Sequence, residues 1–284
     1  MFEQLPLMGE GRSVYPKPEY GGKETARVLI TVKAAPQPSA SYGDTVCVAG
    51  IRLTESGPEW IRLYPVPFRS MEKYEQFKKY ELLDIDIEPA WKDSRSESFK
   101  PDTSSIRRVD FLKPWSPRHP YVAPLAAAQW TMCGILKARE RGELFPSLAV
   151  IEPKEVKRFE IYPFAGWTDI QQTHLKKGLN QPDLFGNLPE QILLDPPRFE
   201  AKFHYTCEHP TCGGHRQGLL DWEMVALSRN LAADNNETAM AKIKMKFLDQ
   251  MCKPELRPHF FVGNQQKRPH IFSVLGIYPA KSRH

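Results

Sequence analysis

Twenty-six prolines punctuate the 284 residues of this chain, nearly twice the ~5% of ordinary proteins. A proline inside a helix removes a backbone donor and clashes with the turn before it, at about 3 kcal/mol. Long helices therefore have little room, and the fold must rest on strands and short helices. A hydrophobic fraction of 41% and an aromatic fraction of 11% supply the core such a fold needs and exclude a disordered chain.

The strand signals are concentrated in the first half. Val28 to Val32 (VLITV) and Thr45 to Leu53 (TVCVAGIRL) are apolar, β-branched runs. Trp60 to Pro65 alternates. Glu81 to Glu88 (ELLDIDIE) alternates more cleanly, with Leu83, Ile85 and Ile87 on one side and Asp84, Asp86 and Glu88 on the other. Ile106 to Leu112 is a fifth candidate. Pro114 to Pro124 reads as a surface linker. Leu125 to Arg141 reads as a helix closed by Gly142, and Leu148 to Ile151 and Val156 to Ile161 read as strands.

In the last third, Phe199 to Tyr205 is a strand candidate, and Leu220 to Leu231 and Thr238 to Cys252 are helix candidates. His259 to Val262 and Ile271 to Tyr278 read as closing strands around a turn from Gly263 to Pro269. The expected class is α+β, with a mixed or antiparallel sheet or small barrel in the first half and a zinc-knuckle-like α/β C-terminal part. The expected division is an N-terminal arm over 1–25, a β-rich domain with one helix over 26–165, a loop-rich connection over 166–198 and a Cys/His-containing domain over 199–284.

The sharpest chemical feature is Cys207-Glu208-His209-Pro210-Thr211-Cys212-Gly213-Gly214-His215. Pro and Gly make tight turns, so Cys207, Cys212 and His215 can converge. Thiolate sulfur and imidazole nitrogen are the ligands of tetrahedral zinc. A fourth ligand must come from elsewhere. His204, His209, Asp221, Cys252 and His259 are chemically able, and Cys252 is the chosen candidate. Cys47 and Cys133 lie in apolar, strand-like and helix-like settings and read as core thiols.

Asp221 and Glu223 flank Trp222 directly after this cluster. As chemistry, the pair suits general acid and base work beside a metal. As structure, Asp221 is a helix N-cap and Glu223 a first-turn acid.

The net charge of +5 is mild but unevenly placed. Residues 239–284 carry nine Lys or Arg against Asp249 and Glu255. Lys242, Lys246, Lys267 and Arg268 are the candidate phosphate contacts. In the middle of the chain, Arg62, Arg69, Lys78, Lys79, Arg107, Arg108 and Arg118 interleave with Trp60, Tyr64, Phe68, Tyr74, Phe77 and Tyr80, a pattern single-stranded nucleic acid sites also use.

The leading functional reading is a nucleic-acid-binding protein, of DNA or RNA, stabilised by a structural Zn2+ and presenting a basic C-terminal surface. The alternatives are a metal-dependent enzyme of nuclease or base-modifying type, with Asp221 and Glu223 as its catalytic pair, and a scaffold subunit of a larger protein assembly. No apolar run approaches membrane-spanning length, and no secretory leader stands at the start. The expected compartment is the cytoplasm, and no membrane partner is expected.

Overall fold

The computed structural model describes residues 22–38, 46–67, 71, 76–113, 116–179, 194–266 and 268–280. Most of the arm read over 1–25 lies outside them. Five strands, β1 (Glu24–Lys33), β2 (Val46–Thr54), β3 (Gly57–Val66), β4 (Glu81–Pro89) and β5 (Ser98–Phe111), close into a barrel in the order β1-β2-β3-β5-β4. All neighbours are antiparallel except β3 and β5, which pair in parallel. This is the Greek-key order of an OB-type barrel.

The sequence patterns follow from what covers each strand. Val28, Ile30, Val48, Ile61, Leu63, Leu83, Ile85 and Ile87 fill the barrel. The alternate residues Leu29, Val32, Ala49, Ile51 and Trp60 point outward, yet they too are buried, against the C-terminal part. Strands covered on both faces read as unbroken apolar runs, which is why VLITV does not alternate. β4 keeps one wet face. There Asp84 accepts from Arg27 at 2.8 Å and Asp86 accepts from Thr25 at 2.5 Å. β1 and β2 approach so closely that a Cβ on Gly50 would lie 2.6 Å from Val28 Cγ1 and 2.7 Å from the Leu29 carbonyl. Only glycine fits that crossing.

The rest of the chain adds α1 (His119–Ala126), α2 (Met132–Glu140), β6 (Leu148–Ile151), β7 (Pro153–Pro163), α3 (Asp169–Leu179), β8 (Phe199–Cys207), β9 (His215–Gly218), α4 (Trp222–Asn230), α5 (Asn236–Lys244), β10 (Pro258–Gln265) and β11 (Arg268–Pro279). Two three-stranded sheets result, β11-β10-β6 and β7-β8-β9. Between them and α2, α4 and α5 lies an aromatic core that includes Phe159, Phe203, Tyr205, Phe247 and Phe260. Burying such a ring contributes roughly 1.5–3 kcal/mol. The first of these sheets also supplies Leu148, Val150, Phe261, Leu275 and Tyr278 to the outside of the barrel. The fold is therefore mixed α+β, with a closed barrel first and the Cys/His segment in the C-terminal part.

Three local expectations are corrected. The helix read over Leu125 to Arg141 is two helices, broken before Thr131, with Gln129 at φ +50°. The Pro114 to Pro124 stretch contains α1, whose Pro120 sits in the first turn, where the missing N–H costs nothing. The turn read over Gly263 to Pro269 is mostly strand: β10 runs to Gln265 and β11 starts at Arg268. Among the described residues, no helix is long and apolar enough to cross a membrane.

Candidate metal centre

β8 alternates strictly between buried and half-exposed residues and ends on Cys207, which is buried. The chain then turns. The Cys212 N–H donates to the His209 carbonyl at 3.0 Å, and Gly214 adopts φ +102°, which side chains rarely reach. The chain returns as β9, with His215 in register with Tyr205. Cys207 and His215 thus stand at the neck of a hairpin, with Cys212 in its loop.

The fourth group comes from α2. Thr131 caps that helix by accepting from the Gly134 N–H at 3.0 Å, which fixes Cys133 in the first turn. One turn later, Lys137 Nζ lies 3.2 Å from Thr211 Oγ1 and 3.4 Å from His209 Nε2. The helix is thereby tied to the hairpin loop as well as facing it.

The ligating atoms of Cys133, Cys207, Cys212 and His215 all lie within 4.8 Å of one another. His215 Nε2 is 3.5 Å from Cys133 Sγ, 3.4 Å from Cys207 Sγ and 3.4 Å from Cys212 Sγ. A zinc tetrahedron, with bonds of about 2.3 Å to sulfur and 2.0–2.1 Å to nitrogen, has S···N edges of about 3.5–3.6 Å. The nitrogen is therefore equidistant from three sulfurs at nearly the edge length such a site requires. This Cys3His cluster can hold a metal ion, and its soft donors suit a thiophilic one.

The electrostatics agree with that use. Burial, reinforced by Cys207 and Cys212, pushes the Cys133 thiol up to about 12. Burial also pushes on Cys212, but hydrogen bonds from the Cys207 and Gly214 backbone N–H groups outweigh it and leave its pKa lowered. Burial lowers that of His215. Three thiols crowded around a neutral imidazole cannot all ionise unaided. A bound dication would reverse this and hold them as thiolates.

Cys133, not Cys252, completes the group, against the expectation of a core thiol there. Cys252 is buried in the core, and its thiol donates to the Phe247 carbonyl at 3.2 Å. His204 Nε2 lies 2.9 Å from Glu160 on the outward face of β8. His259 Nδ1 lies 2.8 Å from the Arg257 carbonyl.

Asp221 is fully committed. Its carboxylate accepts from the Glu223 N–H at 3.0 Å as the cap of α4 and lies 3.1 Å from Lys79 Nζ. Glu223 is half-exposed, 3.9 Å from the same lysine. Of the phosphate candidates, Lys242 pairs with Asp234 at 2.8 Å. Lys246 and Arg268 are exposed, and Lys267 lies outside the described residues. Of the mid-chain set, Arg62, Lys79 and Arg118 are buried, as are Trp60, Phe77 and Tyr80, whereas Lys78, Arg107 and Arg108 are exposed and Phe68, Arg69 and Tyr74 lie outside the described residues.

Cys133 escaped the sequence reading because it stands 82 positions from His215, and only tertiary packing joins them. Its one local signal is position: a cysteine just after a capping threonine, at a helix N-terminus, where a thiolate is favoured.

Residues 128–284 match the family model described as Domain of unknown function (DUF8757), and residues 24–124 match the one described as Domain of unknown function (DUF8758). The second match spans the barrel strands, and the first contains all four residues of the cluster. No curated protein matches the chain.

Proposed function

The chain belongs to the family of the domain of unknown function DUF8757, and we propose from its cluster that it is a nucleic-acid-binding protein whose C-terminal part is clamped by one structural zinc. The observation that carries the zinc is the equidistance of His215 Nε2 from three cysteine sulfurs. Four protein ligands fill a tetrahedron, whereas catalytic zinc keeps a position for water. Asp221, one of the two candidate catalytic acids, is held as a helix cap and ion pair, which weighs against its use as an acid or base. The clamp joins α2 to the β8–β9 hairpin. All five cysteines are free thiols, which suits a reducing compartment such as the cytoplasm.

Two features support a nucleic-acid partner. OB-type barrels often bind oligonucleotides. The outward face of β7–β8–β9, beside the metal hairpin, carries Arg158, Lys202, His204 and Arg216 together with the carboxylates of Glu155, Glu160 and Glu200. Tyr162 stands on the same face, under Lys202 at 5.4 Å. The outer residues Ala49, Ile51 and Trp60 of β2 and β3 are covered by the C-terminal sheet, so a strand would meet the C-terminal surface instead.

The test is fluorescence anisotropy with single-stranded RNA, single-stranded DNA and duplex DNA at low and moderate salt. The expected result is binding that weakens steeply with salt, with the salt slope reduced by about one on Arg216→Ala. Absence of binding to all three at low salt, or binding indifferent to salt, would overturn the nucleic-acid half of the proposal.

A further inference from the structure

A second polar constellation lies at the end of the barrel where β2 begins and β4 passes to β5. In OB-type barrels the β2–β3 surface and the loops at this end hold the ligand. Here the connecting segment is charged and polar, yet Arg95, Ser96, Glu97 and Ser98 are all buried. Such groups are rarely buried without partners. Most partners can be traced. Arg95 Nε donates to Asp93 at 2.9 Å, and its Nη1 donates to the Asn264 carbonyl at 3.0 Å. Arg62, from β3, places Nη1 3.5 Å from Cys47 Sγ and Nη2 3.2 Å from Ser147 Oγ. The Ser147 hydroxyl in turn donates to Glu97 Oε1.

Four buried side-chain groups of this constellation are left over among the described residues: the Ser96 and Ser98 hydroxyls, which can rotate to donate or accept, and two atoms of fixed role. Arg62 Nε, a donor, and Glu97 Oε2, an acceptor, have no hydrogen-bond partner among the described residues. Their side chains are only 5% and 4% exposed, and Arg62 Nε is 3.9 Å from the other oxygen of Glu97. A buried donor or acceptor left unmatched costs stability that a ligand group satisfying it would recover.

The charges of the constellation cancel: Arg62 and Arg95 face Asp93 and Glu97. An anion therefore gains little here. What is missing is a neutral group with a strong acceptor for the guanidinium beside a strong donor for the carboxylate. A lactam edge, a carbonyl next to a ring N–H, has that pattern, and guanine and uracil carry it. Adenine and cytosine offer an amine and a bare ring nitrogen instead. Charge-assisted bonds favour the stronger partners, and arginine to a guanine carbonyl is a common specific contact.

We propose that this end of the barrel is a nucleobase site for lactam bases, in which Arg62 donates to the base carbonyl and Glu97 accepts its ring N–H. The two atoms are sealed in this structure, so the segment between β4 and β5 must draw back to admit the base. Cys47, half-buried, stands beside Arg62 and reports on occupancy. The site does not depend on the outward face of β7–β8–β9, because an uncharged nucleoside carries no phosphate.

The test uses the full chain and four nucleosides in equilibrium dialysis, with ribose 5-phosphate as the anionic control. Guanosine or uridine is expected to bind at least about tenfold more tightly than adenosine and cytidine, a difference of about 1.4 kcal/mol, and to slow alkylation of Cys47 by iodoacetamide. Ribose 5-phosphate is expected to do neither. Glu97→Gln and Arg62→Lys are expected to remove the preference. Should those variants fail to fold, the selectivity and the Cys47 protection of the unaltered chain still decide. Absence of nucleoside binding at millimolar concentration, equal binding of adenosine, or competition by ribose 5-phosphate would overturn the proposal.

Discussion

Lys79 Nζ lies 3.1 Å from Asp221 Oδ2, and both side chains are nearly sealed from solvent. The pair joins the residue run leading into β4 of the barrel to the first turn of α4. Burial pulls the Lys79 pKa down, but the carboxylates of Asp221 and Glu223 outweigh it and hold it above its ordinary value. The surroundings are tight: a Cβ on Gly276 would come within 2.9 Å of Nζ. Breaking a buried pair strands the remaining charge. Lys79→Met should therefore lower stability by about 3–5 kcal/mol. Adding Asp221→Asn, which removes the stranded charge and keeps a capping side chain, should restore part of that loss. Urea unfolding of the two single variants and the double variant measures it, and additive losses would contradict the pairing.

The cysteines divide into two classes with opposite expected behaviour. Cys133→Ser should lose zinc as completely as Cys207→Ser, since both remove a thiolate from one tetrahedron. Cys252→Ser should keep zinc and lose only about 1–2 kcal/mol of stability, the scale of a modest core change. Zinc content after gel filtration separates them. Retention of metal by Cys133→Ser with loss in Cys252→Ser would reverse the assignment.

The hairpin loop offers a backbone test. Gly214 has φ +102°, whereas Gly213 lacks a positive φ, and a Cβ added there would meet nothing within 4 Å. Gly214→Ala should cost about 1–3 kcal/mol and weaken metal retention. Gly213→Ala should change stability by less than about 0.5 kcal/mol. Thermal melts in the presence and absence of chelator would show the contrast, and equal effects would refute it.

Glu160 carries a pH prediction. His204, with Arg216 and Arg158, outweighs burial and lowers its carboxyl to about 2, from an ordinary 4.5. A depressed acid contributes stability that is complete above the unfolded value and lost as pH falls through the folded one. The advantage of the native chain over Glu160→Gln should therefore be full above about pH 4.5 and shrink toward pH 2. The group is partly exposed, so the effect should also weaken with added salt. Melting temperatures of both chains across that range test it; a gap that widens on acidification would contradict it.

These particulars show where the sequence was readable. β4 declared itself because one face is wet, so Asp84, Asp86 and Glu88 alternate with Leu83, Ile85 and Ile87. Cys207, Cys212 and His215 were readable because one hairpin holds all three. The Asp-Trp-Glu run offered the N-cap that Asp221 forms. By contrast, Cys133 and the Arg62–Glu97–Ser147 cluster join distant segments, and no local spacing encodes such meetings. α1 was hidden because it carries two prolines: Pro120 falls in the first turn, where a helix tolerates it, but Pro124 lies inside the helix, where the pattern argues against one. Of the basic run after residue 238, Lys242 is paired, Lys246 and Arg268 are exposed, and Asn264, in the stretch read as a turn, is buried in a strand.

Everything proposed for the C-terminal part depends on Cys133, Cys207, Cys212 and His215 holding one zinc as a closed structural site. X-ray absorption on the purified full chain, with metal content measured on the same sample, reads that site out without intermediaries. The expected spectrum has one zinc per chain with a first shell of three sulfurs at about 2.3 Å and one nitrogen at about 2.0–2.1 Å. Removal of the metal by chelator should unfold the C-terminal part. A chain that contains no metal when prepared under reducing conditions with zinc supplied, or a shell dominated by oxygen, would show that these four residues do not form a zinc site.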